Sequence, residues 1–153
     1  MTSVILRPLR GDEFDDWNDA HTRRYADGMV EHAGLEREAA ERKAAADVGY
    51  VLPQGIETDA TWLWAIEEDG HAVGTVFLGV REGGAWLYDI VVDETERGRG
   101  LGRAAMLALE ANVKELGYAS VGLNVWGGNE VARSLYRSLG YTERSVGMVK
   151  QLD

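Results

Sequence analysis

The chain has no cysteine in 153 residues. That excludes disulfides, thiolate metal sites and a cysteinyl acyl intermediate together, and it fits a reducing compartment. The three histidines, His21, His32 and His71, have no metal-ligand spacing, so no metal site is expected. No run approaches the ~20 consecutive apolar residues of a membrane span. Met1 to Arg7 has no long apolar core, so no signal peptide is expected and the expected location is cytoplasmic. Basic residues are also few: 16 Lys and Arg stand against 26 Asp and Glu, a net charge of −10. Residues 1–120 carry that charge, and residues 121–153 are nearly balanced. An acidic surface repels nucleic acid and favours cationic partners such as amines, with simple solubility the plainer cause. There is no repeat, low-complexity tract or linker, and the length suits one domain over residues 1–153.

What is present is concentrated in residues 87–103. A β-rich run, Leu87 to Val92, leads into a turn holding Gly98, Gly100 and Gly102, and an amphipathic helix follows at once. Helix N-termini carry unpaired N–H groups and partial positive charge. Glycines let a bulky anion approach the backbone closely. Arg97, Arg99 and Arg103 add cations to this stretch of an otherwise acidic chain. Taken alone, three alternate glycines could be only a flexible turn. Strand before, helix after and interleaved arginines favour a pyrophosphate site for a nucleotide-bearing cofactor.

A P-loop is excluded, because no Gly-Lys-Ser/Thr follows. Gly100-Leu101-Gly102-Arg103-Ala104-Ala105 fits the Gly-x-Gly-x-x-Ala variant of the dinucleotide fingerprint. Against that, residues 93–97 separate the strand from the first glycine. The next strand offers Asn124 where an acidic ribose ligand is needed, and the preceding segments read as hairpins.

Arg97-x-x-Gly100-x-Gly102 instead resembles the acetyl-CoA loop of the GCN5-related N-acetyltransferase superfamily. A second block agrees: Asn124-Val125-Trp126-Gly127-Gly128-Asn129, then Ala132-Arg133, Leu135-Tyr136 and a closing Leu139-Gly140-Tyr141. The resemblance covers Leu87 to about Leu152; residues 1–84 match only in the order of elements. It implies an α/β (α+β) fold: a mixed, mostly antiparallel sheet of six to seven strands, about four helices, and a splayed parallel strand pair as the cofactor cleft.

The local patterns agree with that order. Val4 to Leu9 reads as a strand, and Asp12 as the N-cap of a helix carrying Phe14, Trp17, His21 and Tyr25. A second helix, about Leu35 to Asp47, has a thin apolar face. Tyr50 to Ala60 reads as a loop. Trp62–Glu67 and Ala72–Val80 flank Asp69-Gly70, a hairpin signal, and Gly83-Gly84 turns into Ala85–Val92. A helix from Leu101 to about Leu116 buries Met106, Leu109 and Val113 and ends at Gly117. Ser120–Val125 is a strand parallel to that of Ile90. Asn129 caps a helix that Gly140 stops, and Arg144–Leu152 is a last strand.

The resemblance implies acetyl transfer from acetyl-CoA to an amine by direct attack in a ternary complex. Backbone N–H groups of Gly98, Arg99, Gly100, Leu101, Gly102 and Arg103, with Arg97, would cradle the pyrophosphate. Ile90, Val91 and Val92 would pair by backbone with the pantetheine arm, while their side chains are plain core. Asn129 would contact that arm, an N-cap role being equally open. Tyr136 would protonate the leaving thiolate, although it shares a helical face with Ala132 and Leu139, as a core tyrosine would. No general base is identified. Asn124 and Tyr88 stand where some members carry Glu, Asp89 reads as structural, and His21 and His32 are undiagnostic. A relayed water or an already neutral amine would serve instead. The rivals are a CoA-binding sensor that has lost turnover and a nucleotide-binding oxidoreductase. The acceptor and the oligomeric state stay open, a homodimer included.

Overall fold

Residues 3–153 are described by a computed structural model. Strand β1 (Ile5–Pro8) leads through a 3-10 turn (Gly11–Glu13) into α1 (Phe14–Ala33) and α2 (Arg37–Val51). After a second 3-10 turn (Gly55–Glu57) come β2 (Trp62–Glu68), β3 (His71–Arg81) and β4 (Gly84–Val92). A third such turn (Glu94–Glu96) precedes α3 (Leu101–Glu115), β5 (Val121–Leu123) and α4 (Glu130–Ser138). The sheet runs in the order β1-β2-β3-β4-β5. Its first four strands are antiparallel and β5 is parallel to β4, as expected from the helix that joins them.

Both tight hairpins are built by the turn chemistry of their residues. Asp69 and Gly70 carry φ of 51° and 81°, and Glu82 and Gly83 carry 53° and 82°. Positive φ at both central residues is what a type I′ turn demands and what Asp-Gly and Glu-Gly permit.

Period-two alternation along the strands divides the interior between the two faces of the sheet. On one face Ile66, Val76, Leu78 and Leu87 meet Leu101, Ala105, Met106, Leu109 and Val113, the buried stripe of α3. On the other, Leu63 and Phe77 meet Trp17 of α1 and Val48 of α2. Helix α2 buries only Ala40, Ala44 and Val48, the thin face expected of it. Each fully buried Leu or Met of α3 contributes about 2 kcal/mol by removal from water.

The structure corrects four expectations. Arg144–Leu152 is not a strand, so the described residues hold five strands rather than six or seven. Asp12 does not cap α1; it pairs with Arg10 at 3.5 Å, and the Glu13 carboxylate accepts from the Arg10 N–H at 2.8 Å. The Glu13 N–H closes a 3-10 turn on the Arg10 carbonyl at 3.0 Å, and α1 begins only at Phe14. Helix α2 continues to Val51, which takes Tyr50 out of the loop.

Candidate active site

Strands β4 and β5 pair only from Ala85–Leu87 to Val121–Leu123. Beyond Leu87 strand β4 continues to Val92 with no neighbour on that side. On its other side it pairs with β3 through Ile90↔Val76, Val91↔Thr75 and Val92↔Gly74. The Asp93 N–H bonds the Val73 carbonyl at 2.8 Å, which fixes the phase of the ladder. By alternation Val91 turns its backbone to β3, and Ile90 and Val92 turn theirs into the gap. The Val92 carbonyl accepts there from Arg97 Nε at 3.2 Å.

A bulge at Tyr88 re-aims the strand at the mouth of this gap. Leu87 pairs with Leu78 and Asp89 with Phe77, leaving Tyr88 as the extra residue. The Tyr88 ring packs on Phe77, 4.8 Å between centroids, and over Gly79, where a Cβ would come within 2.5 Å of it.

The gap leads to the glycine loop. Gly98 and Gly100 have φ of 84° and 77°, in the left-handed region that favours glycine. A Cβ at either would meet no atom within 4 Å, so the loop presents open backbone. Gly100 is the residue before α3, and it offers no side chain to cap the free N–H groups of the first turn. Leu101 is 1% exposed, so only its backbone can serve a ligand. Gly102 differs from the other two glycines. Its φ is ordinary, and a Cβ there would make a 3.5 Å contact with Leu135, so packing does not require glycine.

The three arginines are not equivalent. Arg99 pairs with Glu68 at 2.9 Å and with Glu96, and both hydrogen bonds raise its pKa. Arg97 bonds the Val92 carbonyl, and Arg103 bonds the Ser138 hydroxyl. The charges of Arg97 and Arg103 therefore face neutral partners.

Asn129 stands before α4, and its Oδ1 accepts from the Ala132 N–H at 3.2 Å, so the capping role is formed. The preceding loop is clamped to α1: Trp126 stacks on His32 with 5.4 Å between centroids and lies against Gly28. Ile90, Val92, Leu135 and Tyr136 belong to one apolar cluster, so the structure brings the β4 gap and α4 together. The Tyr136 hydroxyl has no hydrogen-bond partner among the described residues. Burial and the charge of Asp89 both push its pKa up, so it stays protonated at neutral pH.

That charge exposes a group which sequence reasoning left apart. Asp89 accepts from His21 Nδ1 at 3.1 Å and from Arg24 Nη2 at 2.8 Å, both on α1. His21 is 8% exposed, stacked on Trp17 at 4.8 Å and edge-on to Phe77. Burial raises the Asp89 pKa, but the hydrogen bond from His21 and the charges of His21 and Arg24 outweigh it and leave it lowered. The available signal was His21 and Arg24 at helical spacing on the apolar face of α1, three residues apart; no local pattern named their partner. No group of three or more His, Cys, Asp or Glu among the described residues could hold a metal.

The profile of the Acetyltransferase (GNAT) family matches residues 26–141. The chain belongs to that family. As a member it is an acetyltransferase, and the sensor alternative is not favoured. The uncharacterized N-acetyltransferase YycN of Bacillus subtilis is 28% identical over 155 residues, 98% of this chain and 99% of that one. YdgE of the same organism, also an uncharacterized N-acetyltransferase, is 28% identical over 98% of this chain and 99% of its own. The crystal structure of YycN covers 98% of this chain and 99% of its own at a TM-score of 0.93. The aminoglycoside N-acetyltransferase AAC(6')-Iy in complex with CoA shares the fold at a TM-score of 0.63 and 14% identity, over 99% of this chain and 96% of that one. These structures bear out the GNAT mixed sheet with its parallel pair. Among the described residues no helix is long and apolar enough to cross a membrane.

Proposed function

We propose that residues 1–153 form a single acetyl-CoA-dependent domain that acetylates an amine of a small molecule or peptide in the cytoplasm. The observation that carries this reading is the one-sided β4 strand at Ile90–Val92, which leads through the 3-10 turn Glu94–Glu96 to the open backbone of Gly98 and Gly100. A gap lined by unpaired backbone groups suits an extended amide-bearing arm, and a helix N-terminus behind two open glycines suits a pyrophosphate. The GNAT-fold neighbour in complex with CoA supports the same co-substrate. Neither nucleic acid nor membrane is a partner in this reading.

Each residue then has a role. Ile90 and Val92 hold the pantetheine arm by backbone, with Val91 fixing the strand between them. Gly98, Arg99, Gly100, Leu101, Gly102 and Arg103 present N–H groups to the phosphates, and Arg97 and Arg103 supply charge. Asn129 holds α4 in place and faces the arm. Tyr136 gives its proton to the departing sulfur. The ammonium group of the acceptor gives up its proton to a relayed water. The freed amine attacks the thioester carbonyl. The acceptor enters by a groove of about 300 Å³ beside the bulge, lined by Tyr50, Val51, Pro53, Asp59, Gly79 and Tyr88.

The test is thiol release from acetyl-CoA across a panel of polyamines, aminoglycosides and peptide N-termini, with calorimetric titration of CoA. Acceptor-dependent release with CoA binding supports the proposal. CoA binding without any acetylated product would overturn the acceptor assignment. No CoA binding at all would overturn the cleft.

A further inference from the structure

A second groove lies outside the cleft, between the two helices that cover one face of the sheet. It encloses about 510 Å³, against about 300 Å³ for the groove beside the bulge, and shares no residue with it. On α1, Trp17, His21 and Arg24 face the sheet, through Phe77 and Asp89. Asn18, Thr22 and Ala26 lie about 100° or more round the helix from Trp17. With Val48 of α2 they line the groove. Ala26 and Val48 are 2% and 7% exposed, so the groove reaches the packed interior.

The charges of this groove do not answer one another. Asp19 and Arg23 stand four residues apart on α1, and Arg37 and Glu41 four apart on α2, all four lining the groove. Opposite charges at that spacing ordinarily bridge along a helix, as Lys43 and Asp47 do on α2 at 2.7 Å. Among the described residues neither groove pair does. Arg37 turns instead to Asp27 at 2.6 Å. Asp19, Arg23 and Glu41 have no hydrogen-bond or ion-pair partner among the described residues. Asn18 Oδ1 is buried and accepts from no donor. That oxygen has lost its water and gained nothing in return, a deficit that an N–H from a ligand removes.

We infer that the groove between α1 and α2 binds a basic α-amino acid. Two free carboxylates, one free guanidinium and one amide oxygen form the recognition set. The complementary ligand carries two cations and one anion. Its carboxylate meets Arg23, its two cationic nitrogens meet Asp19 and Glu41, and Asn18 Oδ1 takes one of their N–H groups. Its methylene chain lies on Ala26, Ala45 and Val48. An uncharged or acidic side chain would leave one carboxylate of the set unmatched. A polyanion would be repelled by a chain of net charge −10. The ligand is held here rather than acetylated, so the inference stands apart from the identity of the acetyl acceptor.

The test is calorimetric titration of the full chain with L-lysine, cadaverine and L-norleucine. Cadaverine lacks the carboxylate, and norleucine lacks the side-chain ammonium. L-Lysine should bind roughly tenfold or more tightly than either. Arg23→Ala should bring L-lysine down to the affinity of cadaverine, and Glu41→Gln should bring it down toward that of norleucine. Both side chains are exposed, so circular dichroism should show the fold intact. Tyr50→Ala, in the groove beside the bulge, should leave L-lysine affinity unchanged. No binding of L-lysine, or equal affinity for the three compounds, overturns the inference. So does an affinity that survives Arg23→Ala, and its loss in Tyr50→Ala would move the ligand to the groove beside the bulge.

Discussion

His21 and Asp89, 68 residues apart, meet at 3.1 Å and join helix α1 to the strand that borders the cleft. The carboxylate is held below its ordinary range: burial raises it, and the His21 hydrogen bond and the cations of His21 and Arg24 more than offset that. A carboxyl whose folded pKa lies below its unfolded value stabilises the fold above about pH 4 and loses that contribution as pH falls through the folded value. Asp89→Asn should therefore cost about 2 kcal/mol at pH 7, the order of a hydrogen bond to a charged group. The difference from wild type should shrink toward zero in acid. Urea unfolding of both proteins across pH 3 to 7 checks this; a pH-independent difference would mean that the ionised form contributes nothing.

The glycines of the loop should separate by substitution. Gly100→Ala places a side chain at φ 77° and should cost about 1 to 2 kcal/mol of stability. Gly102→Ala has ordinary φ and a tolerable 3.5 Å neighbour, so stability should be unchanged or slightly raised. Both should weaken acetyl-CoA roughly tenfold or more, because each Cβ obstructs the approach of the phosphates. A folded Gly102→Ala protein with wild-type affinity by calorimetry removes the pyrophosphate assignment.

Cation recognition should follow the pairing seen in the structure. Arg103→Ala and Arg97→Ala should reduce the preference for CoA over pantetheine and flatten its salt dependence. Arg99→Ala should change it less, because Glu68 and Glu96 already neutralise that guanidinium. Titration of CoA, dephospho-CoA and pantetheine at two salt concentrations decides the order. Equal affinities for all three ligands in the wild type would mark the arginines as solvated surface.

Tyr136→Phe keeps the ring in its cluster and removes only the hydroxyl. The kcat should fall roughly ten- to a thousand-fold, the range of a general acid, with KM for acetyl-CoA nearly unchanged. Stability should move little, since that hydroxyl has no hydrogen-bond partner among the described residues. Turnover equal to wild type would assign Tyr136 to packing alone.

Local chemistry was readable where a short stretch determines its own conformation. The Asp69-Gly70 turn, the stripe of Met106, Leu109 and Val113, and the Asn129 cap all formed as their residues indicated. What could not be read depends on partners distant in the chain. The link of Asp89 to His21 requires the Tyr88 bulge, which shifts register by one residue and carries no composition signal. Strand β5 stops at Leu123, so the gap beside Ile90 comes from where a neighbour ends. Residues 144–153 have strand patterning and no strand, because pairing needs a second backbone as well as a pattern. Asp12 failed as a cap because it lies inside the 3-10 turn Gly11–Glu13 with its carboxylate turned to the Arg10 guanidinium.

The sheet keeps its two apolar interiors apart, with Val76 and Leu78 turned to α3 and Phe77 between them turned to α1. Helices α1 and α2 can therefore change side chains, even length, without disturbing the packing under the glycine loop. Among the described residues, the Asp89 pair and the Trp126 clamp tie one side to the other. Drift in α1 and α2 is thus nearly decoupled from drift in the rest. New acceptors can be sampled on one face of the scaffold while the chemistry of the other is inherited intact.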